Sequence, residues 1–322
     1  MVLDLKRGGS PYVIAALSVV FGIISVFLSD IFAVLAVAYL AATMVFDKTP
    51  RLLLSIGASL LIVVANVLCL VFTDASVLSG FLTVAAGSVI AAAFRLHRSK
   101  NECVLISVTV VSLFTVGSML LLFMRAAGSF SISAAMEVYD SVYESLKNDF
   151  INRIGDITSG MGNGTAEVVI SSEDIAMMFD SVANLGIAMI IILSFAIVGI
   201  SFKLFTRVVA SYVKDGSIIR DWRFRPSGVF GYFYIALYLF SIFLGEPSAF
   251  SLTVMNLYYV FMVVFAYLGY GVTVSFLSQV RSSTFAYLSV IAALVLFSSI
   301  AIQILSLVGV FFAINYGKAK QL

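Results

Sequence analysis

Nine apolar stretches, most of them close to the ~20 residues that a helix needs to cross a bilayer, recur along this chain and decide what it can become. They fall at Tyr12 to Leu28, Ile31 to Phe46, Leu52 to Phe72, Val77 to Phe94 and Cys103 to Met124. After a polar insertion they resume at Ala183 to Phe202, Gly228 to Leu244, Leu252 to Leu277 and Phe285 to about Phe312. A soluble core has no use for so much apolar sequence: 61% of the 322 residues are hydrophobic and 11% charged, against about 45–50% and about 25% in soluble domains. The expected fold is all-α: a polytopic transmembrane helical bundle of about nine spans, with eight or ten as alternatives, and one extracytoplasmic amphipathic-helix insertion. It divides into an N-terminal bundle of five spans over 1–124, an acidic insertion over 125–182 and a C-terminal bundle of about four spans over 183–322.

Only Ser29 and Asp30 separate the first two stretches, so they form a tight helical hairpin or one long broken helix, and the hairpin is the expected form. The last stretch runs ~28 residues, about 42 Å of helix against a ~30 Å hydrocarbon core. It must tilt, kink near Gly309, or divide into two shorter pieces. Lys6 and Arg7 ahead of the first stretch imitate a signal peptide, but no small-residue cleavage site follows, and the stretch is kept as a span.

Lysine and arginine decide orientation, because short cytoplasmic loops carry the positive excess. With the N-terminus inside and strict alternation, 14 of the 19 basic residues face the cytoplasm, while Lys318 and Lys320 fall on the other side and keep eight or ten spans open. Residues Arg125 to Asp180 hold nine acids against three bases. The expected localisation is therefore a multi-pass plasma-membrane protein, N-terminus cytoplasmic and residues 125–182 extracytoplasmic, with the lipid bilayer as its first partner. Within the insertion Ile132, Met136, Tyr139, Tyr143, Leu146, Phe150 and Ile154 recur at spacings of three and four, an amphipathic helix with one apolar stripe. Gly160 to Thr165 reads as a turn, since the lysine and preceding strand of a phosphate loop are missing. Ser171 or Ser172, followed by Glu173 and Asp174, marks a capped helix start that runs on into the sixth span.

The acids Asp30, Asp74, Glu102 and Glu246 all fall at span ends, which argues against a proton-relay pump, because such devices carry ionisable groups inside the membrane. His97 is the only histidine and Cys69 and Cys103 the only cysteines. No metal cluster, disulfide framework or nucleophile–base set can be assembled from them. The expectation is no catalytic residue, no cofactor, no metal and no nucleic-acid partner.

What remains inside the spans is neutral: Asn66, Asn256 and Gln303, with Tyr258 and Tyr259 beside Asn256. These five are the candidate ligand-binding residues. The alternative role is hydrogen-bonding between helices, worth on the order of 0.6 to 2 kcal/mol each. Small residues four apart, as in Ser18 and Gly22, Ala38 and Ala42, or Gly87 and Ala91, let helices approach closely within the chain or at a partner surface. Between the sixth and seventh spans, Arg220, Trp222, Arg223 and Arg225 form a basic-aromatic stretch suited to anionic headgroups or to a partner protein.

The sequence Asp221-Trp222-Arg223-Phe224-Arg225-Pro226, then Met255-Asn256-Leu257-Tyr258-Tyr259, Tyr270-Gly271-Val272 and Leu307-Val308-Gly309-Val310-Phe311 resembles the YybS-like family of bacterial multi-pass membrane proteins. That family also looks similar to substrate-binding membrane subunits of energy-coupling-factor transporters. The resemblance implies a small-molecule-binding membrane protein without its own ATPase, energised by a partner module. The competing class is a scaffold whose acidic outer insertion and basic inner loop recruit envelope or cytoplasmic partners.

Overall fold

The computed structural model describes residues 11–27, 31–47, 53–72, 79–96, 98–160, 171–213, 226–244 and 248–319. Among them run eleven helices. The first five are α1 (Pro11–Phe27), α2 (Ile31–Phe46), α3 (Leu53–Phe72), α4 (Ser79–Arg95) and α5 (Lys100–Ala126). Then come α6 (Ile132–Gly160), α7 (Ser172–Asn184), α8 (Gly186–Tyr212), α9 (Gly228–Phe243), α10 (Ala249–Val280) and α11 (Ser283–Ala319). Four of these, α5, α8, α10 and α11, are long and apolar enough to cross a membrane, and α1, α2, α3, α4 and α9 are shorter apolar helices. Local sequence explains several starts. Pro11 opens α1, where its missing N–H costs nothing. Ser248 caps α10 by accepting from the Ser251 N–H.

The chain divides into two compact units, Met1–Ser112 with Ile191–Leu322, and Leu113–Ile190. In the first, Phe21 of α1 stacks on Phe32 and Tyr39 of α2, ring centroids 6.4 and 5.6 Å apart. Eighteen residues along one helix would separate Phe21 from Tyr39 by about 27 Å, so α1 and α2 are a hairpin. Phe46 of α2, Ile90 of α4, Val104 and Val111 of α5, and Phe202, Phe205 and Val209 of α8 share one buried core. The small-residue pairs serve it from within. Ala38, Ala42 and Ala91 are buried, Gly22 faces Ile62 of α3, and Gly87 faces Leu40 of α2.

The closest helix contact lies between α10 and α11. A methyl group added at Gly269 would run into the Leu305 carbonyl, and one added at Gly309 into the Phe265 carbonyl. The two glycines therefore let the backbones touch. Gly309 is thus a packing residue and not a kink. The break in α11 falls at Ser298, whose φ of 21° and ψ of −93° are non-helical. Ser298 and Ser299 form a serine pair, one of the usual sites at which long helices bend.

The second unit holds the C-terminal part of α5, helices α6 and α7, and the start of α8. Its apolar stripe is an aromatic ladder: Phe123 meets Tyr139 edge-on at 5.7 Å and Tyr139 stacks on Tyr143 at 6.3 Å. Phe179 of α7 then packs against Tyr143 and Phe150. Ser171 caps α7 in a reciprocal capping box with Asp174, as the sequence suggests. The helix does not run on into the next span. It ends at Leu185, whose N–H bonds back to Val182, and α8 begins afresh at Gly186.

Candidate functional site

Where α2 ends, α3 begins and α4 ends, three helix termini meet around two charged residues. Asp47 follows α2 and is buried; its carboxylate accepts hydrogen bonds from the Ser55 N–H and Oγ, both at 2.8 Å. A negative group thus satisfies the Ser55 N–H in the first turn of α3 and opposes the positive end of its dipole. Arg95, in the last turn of α4, donates to the carbonyls of Met44 and Asp47, a positive group on the last carbonyls of α2.

This corner walls a half-open cavity of about 360 Å³ lined by Met44, Ser55, Ile56, Ser59, Ser88, Ala91, Ala92 and Arg95. Its size falls in the range of small-molecule pockets. The Ser59 Oγ is shielded from solvent and has no hydrogen-bond partner. Leaving such a group unbonded costs about 1–3 kcal/mol. The cavity therefore offers hydroxyls and one guanidinium on an otherwise apolar wall. Asp47, Ser59 and Arg95 were not legible as a group, because the sequence shows them only as a span-end acid, a mid-span serine and a loop base.

None of the five residues expected to bind a ligand lines this cavity. Asn66 is fully buried in α3, and its Oδ1 accepts from the Phe81 N–H at 3.1 Å, capping the start of α4 from outside. Gly80 is the residue that admits it, since a methyl there would press on the Asn66 side chain. Asn256 donates to the Leu252 carbonyl one turn back at 2.8 Å. Tyr258 and Tyr259 come together with Tyr234 and Tyr238 of α9: Tyr258 stacks on Tyr234 at 5.6 Å and lies 5.8 and 5.4 Å from the rings of Tyr238 and Tyr259. The Tyr234 hydroxyl bonds the Ser306 Oγ at 2.9 Å, so these rings tie α9, α10 and α11 into one core. Gln303 is exposed on α11. Arg220, Trp222, Arg223 and Arg225 lie outside the described residues, as do His97 and the turn residues from Met161 to Thr165.

The second unit has a polar pin of its own. Asp180 of α7 accepts from Tyr143 at 2.5 Å and pairs with Lys147 at 2.8 Å, both on α6. The Lys147 ammonium, followed by the Tyr143 hydroxyl, holds the Asp180 carboxyl below its ordinary value. Hydrogen-bonding to Asp180 raises Lys147. Burial, and then the same carboxylate, raises Tyr143. Among the described residues no group of three or more histidine, cysteine or acidic side chains is placed to hold a metal ion.

Residues 16–311 match the model of a family described as "Predicted membrane protein (DUF2232)". The chain belongs to this family. The DUF2232 match takes in every residue lining the cavity and the whole insertion, so both are part of what the family model covers. No curated protein and no solved structure matches the chain.

Proposed function

We propose that this chain is a non-enzymatic, small-molecule-binding membrane protein, a transporter-like subunit without its own motor, and that its ligand occupies the cavity between α2, α3 and α4. The observation that carries this reading is the shielded, unpartnered Ser59 hydroxyl in the wall of a cavity of about 360 Å³. The ligand that fits has a polar, hydrogen-bond-accepting end for Ser59, Ser88 and Arg95. Its apolar body lies against Met44, Ile56 and Ala92. The likeness to YybS-like proteins and to substrate-binding subunits of energy-coupling-factor transporters supports the same class. Energy for transport would come from a partner module.

The positive-inside rule supports a cytoplasmic position for the corner, since in sequence Lys48 and Arg51 follow Asp47 and Arg98 follows Arg95. The acidic insertion then lies outside. That the insertion belongs to a compact unit separate from the rest of the chain, Leu113–Ile190, favours a second reading, a scaffold that recruits envelope proteins.

Native mass spectrometry of the purified full chain separates the two. The wild type is expected to carry a bound small molecule that Ala92→Phe, which fills the lumen from an exposed wall position, and Ser59→Leu both lose while keeping wild-type helicity. Wild-type protein that carries none, or variants that retain it, would overturn the cavity as the ligand site.

A further inference from the structure

Gln303 lies on α11 inside the apolar stretch Ser283–Asn315, twelve residues, or about 18 Å of helix, from its Asn315 end. The side chain is exposed, and its amide makes no hydrogen bond with any described residue. Its neighbours at helical spacing, Ile300, Leu307 and Phe311, are exposed and apolar. They form a ridge at intervals of three and four residues with one polar group inside it. Two residues before Ile300 the backbone breaks at Ser298, also on an exposed surface. Lipid tails offer no hydrogen bonds, so non-helical backbone and bare amides at membrane depth persist where protein covers them.

We propose that this ridge of α11 is the interface with a second copy of the chain in the membrane. The amide chemistry selects that occupant. A primary amide carries both donors and an acceptor, so two Gln303 side chains facing each other across a two-fold axis satisfy one another. Such an axis applies the same patch to itself. The apolar ridge on either side is equally self-complementary, and a single polar group in an apolar seam fixes register. A partner bearing charge would leave that charge unanswered, because no aspartate, glutamate, lysine, arginine or histidine lies between Ser283 and Asn315. The inference stands apart from the cavity and does not depend on it.

Single-molecule photobleaching of the full chain, labelled once and diluted in lipid bilayers, reads the stoichiometry. The wild type is expected to bleach in two steps. Gln303→Leu should weaken association about 3- to 30-fold, the range of one interhelical hydrogen bond, while Gln303→Asn keeps it, and Leu307→Ala, which leaves the amide in place, weakens it through lost ridge packing. Gln303→Cys should cross-link into dimers under mild oxidation, since the native Cys69 and Cys103 are buried. Single-step bleaching of the wild type, unchanged association in Gln303→Leu, or absence of the Gln303→Cys cross-link would each overturn the proposal, including in favour of a different membrane partner.

Discussion

Replacing Gly269 by alanine tests the tightest glycine contact among the described residues. The new methyl would sit well inside van der Waals distance of the Leu305 carbonyl and 3.0 Å from the Gly309 nitrogen, where ordinary contact begins at 3.4 Å. Carbonyl and amide are backbone atoms that cannot swing aside, so α10 and α11 have to separate locally, and the Phe265–Gly309 contact opens with them. Overpacking of this kind costs about 1–3 kcal/mol, a shift of roughly 5- to 150-fold in the folding equilibrium. Gly271, two residues along the same helix, supplies the control, because a methyl there meets nothing within 4 Å. Gly271→Ala should be neutral or stabilising by up to about 1 kcal/mol, as alanine favours helix over glycine. Thermal and denaturant unfolding of both variants in the same detergent reads the difference. Equal stability of the two variants would refute the backbone contact.

Asn66→Ala should destabilise by about 1–3 kcal/mol, because the Phe81 N–H loses its acceptor inside a buried contact; Asn66→Asp, which keeps an acceptor, should cost less. If Asn66→Ala leaves unfolding unchanged but removes a co-purified small molecule, Asn66 is a ligand residue and not a cap. The α6–α7 pin should show a stability plateau in pH. Asp180 titrates below its unfolded value of 3.8, so its contribution is full above that pH and disappears as pH falls through the lowered value. Lys147 titrates above its unfolded value of 10.5, so its contribution is full below that pH and is lost as pH rises through the raised value. Amide hydrogen exchange in α7 should accelerate at both ends of this range, and Asp180→Asn should flatten both limbs.

The apolar helices were legible because each stretch is continuously apolar, and a chain that meets lipid has to bond its backbone within itself. The amphipathic stripe of α6 and the Ser171 cap could be read for the same kind of reason, since both are local patterns. What the sequence hid is pairwise. Gly309 looks like a natural kink until Gly269 is placed opposite it, and the actual break at Ser298 is marked only by a serine pair within a run of many small residues. Nothing in the sequence sets Gly80 and Phe81 of the next helix against Asn66, where the structure places them. The cavity corner was the hardest to see, because Asp47 follows α2 while Ser59 and Arg95 stand on α3 and α4, and they come together only when these helix ends converge.

The α1–α2 hairpin has 17 and 16 residues in its two arms, or about 24–26 Å of helix at 1.5 Å per residue. A hydrocarbon layer of ~30 Å is thicker than either arm. A helix this short that crosses a bilayer draws the two lipid leaflets toward each other, at a fraction of a kcal/mol per Å of mismatch. Elsewhere in the same chain α10 and α11 are 32 and 37 residues long and meet the opposite mismatch. Bilayer thickness is then not a neutral background for this protein. A bilayer bears on short helices as compression and on long ones as tilt, so acyl-chain length becomes a variable to which their packing responds.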